Sequence, residues 1–234
     1  MKLTKKKVIL AAVAVCLVAI LSMGTLAWFN ASQSIDNIFQ VSTDESGKTP
    51  DFSLTLYENI VDPDTGKAID TNNDGVVNAL DTITTTGNTY TSLAPGDELD
   101  KNPTVVNTGA YDQYIRVTVT LTDADKWVPL LANYGLTVDD VIEGYNENGD
   151  IWQSEIVDDD YTDGTIVNEY YLKAKLTPDA SATLFTGVNI PGVFTNAEIE
   201  SFGGEFGMNI VADAIQADNT GDNAYNAFAL YWNN

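Results

Sequence analysis

The sequence predicts a mainly β protein: a jelly roll or β-sandwich in a single domain, with short helices and an extended N-terminal arm. Two observations point there. Short segments that alternate apolar and polar residues recur along the chain, each bounded by Gly, Pro, Asn or Asp. No long amphipathic helix, strand–helix alternation or repeat of roughly 20–50 residues competes with that pattern. With 234 residues, 44% of them apolar, one sizeable core accounts for the chain and no second domain is needed.

Residues 1–27 read as a secretory signal peptide. Lys2, Lys5, Lys6 and Lys7 form a basic start, Val8 to Met23 an apolar run, and Gly24 to Ala27 ends it on small residues suited to a cut between Ala27 and Trp28. An uncleaved anchor is the alternative, because about 20 apolar residues can span a bilayer and Trp28 and Phe29 could sit at its interface. Cys16 follows Ala14-Val15 rather than a pair of small residues and has more apolar chain after it, which argues against a lipoprotein. Residues 28–50 form the arm, polar but carrying Trp28, Phe29, Ile35, Ile38, Phe39 and Val41.

The domain spans 51–234. Phe52 to Tyr57 alternates as a half-buried strand, and 62–88 is an acidic, Asn/Thr/Gly-rich loop insertion. Thr89 to Leu93 reads as a short strand before the turn Ala94-Pro-Gly-Asp97. Thr104 to Val106 leads into the turn Asn107-Thr-Gly109. Tyr114 to Leu121 is the clearest strand, with Ile115, Val117, Val119 and Leu121 on one face and Arg116, Thr118 and Thr120 on the other. Val128–Tyr134 and Val138–Ile142 read as short helical pieces, and Ile151–Ile156 with Ile166–Leu176 as a strand pair. Val188 to Pro191 reads as a breaker. Thr195 with Glu198 matches a capping box. Phe206 to Gln216 reads as a late strand and Ala224 to Trp232 as a short terminal helix.

The charge narrows the partners. Beyond residue 27 there are seven basic and 34 acidic residues, a formal charge of −27. Such a body repels itself and attracts cations; nucleic acid, which needs a basic face, is not an expected partner. The chain has no histidine, and its one cysteine lies in the leader. This removes His-dependent triads and zinc-protease motifs, as well as thiol catalysis and disulfides, from the exported chain. We expect no enzyme. With so many carboxylates, nearby acidic pairs are inevitable and do not argue for a glycosidase.

The sharpest local motif lies in the insertion. Asp70, Asn72, Asp74, Asn78 and Asp81 place oxygen side chains at loop positions 1, 3, 5, 9 and 12, Gly75 is at position 6, and Val76 would offer its carbonyl at position 7. Calcium takes six to eight hard oxygens around such a turn, so calcium is the expected ion. The pattern resembles a dockerin-type loop, in which Asp is normal at position 12, but only one such segment is present. The clusters at 146–150 and 158–164 lack this spacing and read as solvated turns. Trp127, Trp152 and Trp232 read as core or strand-face residues rather than a sugar platform.

Three regions together resemble one family. Gly24-Thr-Leu-Ala27-Trp-Phe-Asn-Ala31 is similar to the export signal of TasA/camelysin-type proteins of Gram-positive bacteria, cut by a SipW-type signal peptidase. Leu93 to Asp97, Val105 to Gly109 and Tyr114 to Val117 resemble the family's first core hairpin region. Ala214 to Asp218 and Ala224 to Trp232 resemble its C-terminal end. The resemblance implies a jelly roll and a secreted subunit of a biofilm-matrix or cell-surface fibre. It also implies head-to-tail self-assembly in which the arm of one copy adds as a strand to the next. Other matrix proteins are further candidate partners, and no membrane anchor remains after cleavage. The peptidase label of camelysin relatives does not carry over, for want of histidine or a zinc motif. The alternative is a monomeric calcium-stabilised adhesion or carbohydrate-binding module.

Overall fold

The computed structural model describes residues 30–33, 52–91, 93–143, 151–201, 207–218 and 220–231. The leader with its cut at Ala27 and Trp28, and the arm residues Phe29, Ile35, Ile38, Phe39 and Val41, lie outside them, as do the cluster 146–150 and Trp232.

The protein is mainly β, in three antiparallel sheets with short helices. The strands are β1 (Asn30–Gln33), β2 (Leu54–Asn59), β3 (Ile83–Thr84), β4 (Glu98–Asp100), β5 (Thr104–Asn107), β6 (Gln113–Thr122), β7 (Ile142–Glu143), β8 (Trp152–Asp158), β9 (Thr165–Leu172), β10 (Ser181–Thr183), β11 (Gly187–Asn189) and β12 (Met208–Gln216). The helices are α1 (Ala124–Asn133), α2 (Asn196–Glu200) and α3 (Ala224–Tyr231). Sheet order is β1-β12-β6-β9-β8 in the largest sheet, β10-β5-β2-β3 in the second and β4-β11-β7 in the third.

The alternation of β6 builds the core. Ile115, Val117, Val119 and Leu121 are buried, opposite Ala214, Ala212, Ile210 and Met208 of β12. Leu54 and Leu56 of β2 and Val105 of β5 belong to the same cluster, so the two larger sheets share one apolar interior. Trp152, on β8, is buried in this core, and Trp127, on helix α1, packs partly buried against it.

The opposite face of β6 is covered at one end. Tyr114 and Ile215 pack with Tyr171 and with Ala224, Ala227 and Phe228 of α3 in a second, smaller cluster. Arg116 therefore does not face solvent; it is buried beneath that helix.

Several boundaries differ from expectation. Thr89–Leu93 forms no strand among its described residues: Thr91 instead ties its backbone N–H and hydroxyl to the Pro63 carbonyl, and the Tyr90 hydroxyl donates to the Asp100 carbonyl. β11 forms inside the expected breaker, because Pro191 falls just after it and removes no ladder donor. α1 starts at Ala124 rather than Val128, with Ala124 buried and the Trp127 indole N–H donating to the Thr122 carbonyl. β9 stops at Leu172, and Leu176 makes only an isolated bridge to Gln113. The Thr195–Glu198 capping box is present as expected.

Candidate functional site

Two regions carry the functional expectations: the outer edge of the five-stranded sheet and the 62–88 insertion.

At the sheet edge, β12 is covered by β1. Asn30 opposes Ile215, Ala31 opposes Ala214, Ser32 opposes Asp213 and Gln33 opposes Ala212. β1 falls inside the region read as a donor strand, and it occupies an edge through main-chain pairing, as such a strand would. Residues 34–53 connect it to β2, with 52 and 53 the only ones of that stretch described. No sequence signal marks Asn-Ala-Ser-Gln as a strand, since its residues are poor or indifferent strand formers. Only the unpaired flank of β12 places it.

Behind that edge lies an ionic network. Arg116 donates from Nε and Nη2 to Asp213 Oδ2 at 3.2 and 2.8 Å, and from Nη1 to Glu169 Oε1 at 2.9 Å. Glu169 also accepts from the Tyr171 hydroxyl. Burial, followed by the neighbouring Glu169 carboxylate, raises the Tyr171 hydroxyl well above its ordinary range, so it stays a donor. The guanidinium sits 4.8 Å from the centre of the Phe228 ring. Both arginine contacts to Asp213 fall on Oδ2; Asp213 Oδ1 is buried with no donor among the described residues. The alternation of β6 puts Arg116 on the polar face and does not reveal this network, which needs the register of three strands to be seen.

No family model, curated protein or solved structure matches the chain.

The insertion is more ordered than its composition suggests. β3 pairs with the end of β2, and Asn88 and Asn59 bridge the strands of its stem. Gly66 turns at φ 65° against Leu99. The six expected ligand positions occupy one loop. Asp70 Oδ2 accepts from the Gly75 N–H at 2.8 Å, Asn72 Oδ1 from Asp74 at 2.8 Å, and Asp74 Oδ1 from Val76 at 2.9 Å. Gly75, at φ 88°, makes the turn the spacing calls for. Asp81 behaves differently. It is buried; its Oδ1 accepts from the Thr71 N–H and hydroxyl and the Asn72 N–H, and its Oδ2 from the Asn78 N–H. The Asn78 amide in turn donates to the Val76 carbonyl. The donor set fits calcium in kind, since every donor is a hard oxygen. All six positions are engaged by hydrogen bonds within the loop, Asp70, Asn72 and Asp74 as much as Val76, Asn78 and Asp81. Among the described residues no group of three or more acidic, His or Cys side chains is gathered closely enough to hold a metal.

The cluster at 158–164 runs from the end of β8 through a short 3-10 turn at Tyr161–Asp163, with Asp160 accepting from Thr162 and Asp163 from Thr165. A hollow lined by Trp127, Leu131, Ile190, Phe194 and Ile199, among others, is wholly apolar and presents no acid, base or nucleophile. Among the described residues no helix is long and apolar enough to cross a membrane.

Proposed function

We propose that this protein is an exported structural subunit that assembles head to tail into an extracellular or biofilm-matrix fibre. The arm of one copy adds as a strand beside β12 of the next. The observation that carries this reading is the position of β1. It is a short strand, remote in sequence from its partner, that covers an otherwise open sheet edge. An open edge is a template for pairing, and a covering strand tethered by a long connection can be exchanged between copies. Exchange that does not close produces a filament. The leader supplies the export step and, by cleavage at Ala27, a free N-terminus at Trp28. Calcium in the loop of Asp70, Asn72, Asp74, Val76, Asn78 and Asp81 is part of the same proposal, as a stabiliser of the insertion.

Negative-stain microscopy of the cleaved chain tests it. Filaments are expected, and removal of residues 28–41 is expected to abolish them while circular dichroism shows a retained β fold. Filaments that persist after the deletion overturn the strand-addition reading.

A further inference from the structure

We propose that the chain cross-links itself, by an amide between Lys101 Nζ and Asn88 Cγ, with Glu58 as the proton carrier. Glu58, on β2, holds both partners on one carboxylate. Its Oε1 accepts from Lys101 Nζ at 2.7 Å, and its Oε2 from Asn88 Nδ2 at 3.1 Å. The Asn88 carboxamide is held at two further points. Nδ2 also donates to the Asn59 carbonyl at 2.9 Å, and Oδ1 accepts the Val61 backbone N–H at 3.2 Å. The Lys101 and Glu58 side chains are only 11% and 8% exposed. Lys67, Lys126 and Lys175 also pair with carboxylates, but each stays at least 43% exposed. An amine, an amide carbon, a carboxyl that touches both and an N–H on the amide oxygen are the parts that amide exchange requires.

The step balances with these groups alone. Nζ passes one proton to Glu58 Oε1, which leaves a neutral amine and a neutral acid and removes two buried charges. The Nζ lone pair attacks Asn88 Cγ and a C–N bond forms. The carbonyl π pair moves onto Oδ1, where the Val61 N–H meets the developing charge. Glu58 then delivers its proton to Nδ2, the Cγ–Nδ2 bond breaks, and ammonia leaves. The surplus proton on the new amide nitrogen returns to Glu58 and departs with the ammonia as ammonium. Ammonium thus carries off the charge that the lysine brought, and Glu58 is restored. Holding amine and amide on one carboxylate makes the exchange intramolecular, where effective concentrations reach about 10⁵ M or more. Beyond residue 27 the chain has no cysteine. The amide takes the place that a disulfide holds in other exported domains, fastening the stem of the insertion to the residue that follows β4. It goes beyond the fibre reading and does not depend on it.

Mass spectrometry of the intact folded protein tests the proposal. The mass is expected to fall short of the sequence mass by one ammonia. Trypsin is expected to leave Lys101 uncut, and cutting after Glu98 to leave the fragments that carry Asn88 and Lys101 joined. Lys101→Arg is expected to show its full mass, and Glu58→Gln to form the bond about a hundredfold more slowly. Full mass in the unsubstituted protein overturns the proposal, as does an ammonia loss that survives in Lys101→Arg or maps to another asparagine. Unslowed bond formation in Glu58→Gln overturns the proton-carrying role. A purely structural ion pair changes none of these masses. The readout is made on dispersed protein, so absence of filaments, which would sink the fibre reading, leaves it intact.

Discussion

Arg116 and Asp213 meet across β6 and β12 at 2.8 Å, and both are buried. Arg116 is the only arginine in the chain. A planar fork that can bond two carboxylates at once suits this place, where a lysine would offer a point charge. In a body with so few cations, this one is spent inside the fold, stitching β12 and β9 to the strand between them.

Removing it is therefore costly. Arg116→Met leaves Asp213 and Glu169 without their counter-charge, and the expected loss is about 3–5 kcal/mol in urea denaturation. Replacing all three residues by apolar ones of similar size is expected to recover most of that loss, because the desolvation penalty disappears with the charges. A single substitution that costs under 1 kcal/mol would show that the network contributes little.

Gly66 provides a test of the insertion's anchoring. A Cβ at its φ of 65° would lie 2.5 Å from Leu99 Cδ2 and 3.6 Å from Leu99 Cα. Gly66→Ala combines left-handed strain with a clash against a buried side chain, and about 1–3 kcal/mol of destabilisation is expected by thermal or urea melting. Gly87, also at positive φ but with open space around it, should cost less when changed to Ala.

Glu198 sets one acid-sensitive step. Its carboxylate accepts the Thr195 N–H and hydroxyl, and these bonds, with the Tyr134 hydroxyl, hold its pKa below the ordinary 4.5. A lowered folded value means the contribution is complete above 4.5 and is lost as pH falls through the folded value. Melting temperature should fall on acidification below about pH 4.5, and the fall should be shallower in Glu198→Gln. Identical acid limbs in the two proteins would count against this role.

Calcium is expected to raise the melting temperature, by about 5–10 °C at a hundredfold excess over Kd, and EDTA to reverse the rise. Asp70→Ala and Asp74→Ala should each abolish the shift and the heat of binding in titration calorimetry. No heat and no shift in the unsubstituted protein would exclude the ion from this loop.

Charge should govern assembly. With seven cations against 34 acids beyond the leader, copies repel, and the Debye length shrinks to about 8 Å at physiological salt. Filament growth followed by light scattering is expected to accelerate between low and physiological ionic strength. A rate that falls with added salt would point to attraction between copies instead.

What could be seen in the sequence follows from how local each signal is. β6 announces itself through four alternating apolar residues, and α2 through Thr195 and Glu198 three positions apart. Both are written within a few residues. β10 and β11 are three residues each and hold their place through partners far along the chain, Thr104–Val106 and Glu98–Asp100, so no local pattern reveals them. The Asp70–Asp81 spacing is visible as a motif, but the turning of Asp81 onto the backbone of Thr71, Asn72 and Asn78 is not. The buried state of Arg116 depends on α3 closing over one end of the sheet, a tertiary event with no trace in the alternation of β6.

β1 begins at Asn30, two residues beyond the expected cut. Three peptide steps reach at most about 10 Å. While the leader remains in a bilayer, that short leash would hold the covered flank of β12 against the lipid headgroups, out of reach of a neighbour. Severing the leash would change where the protein can be and, in the same event, which of its edges another copy can approach.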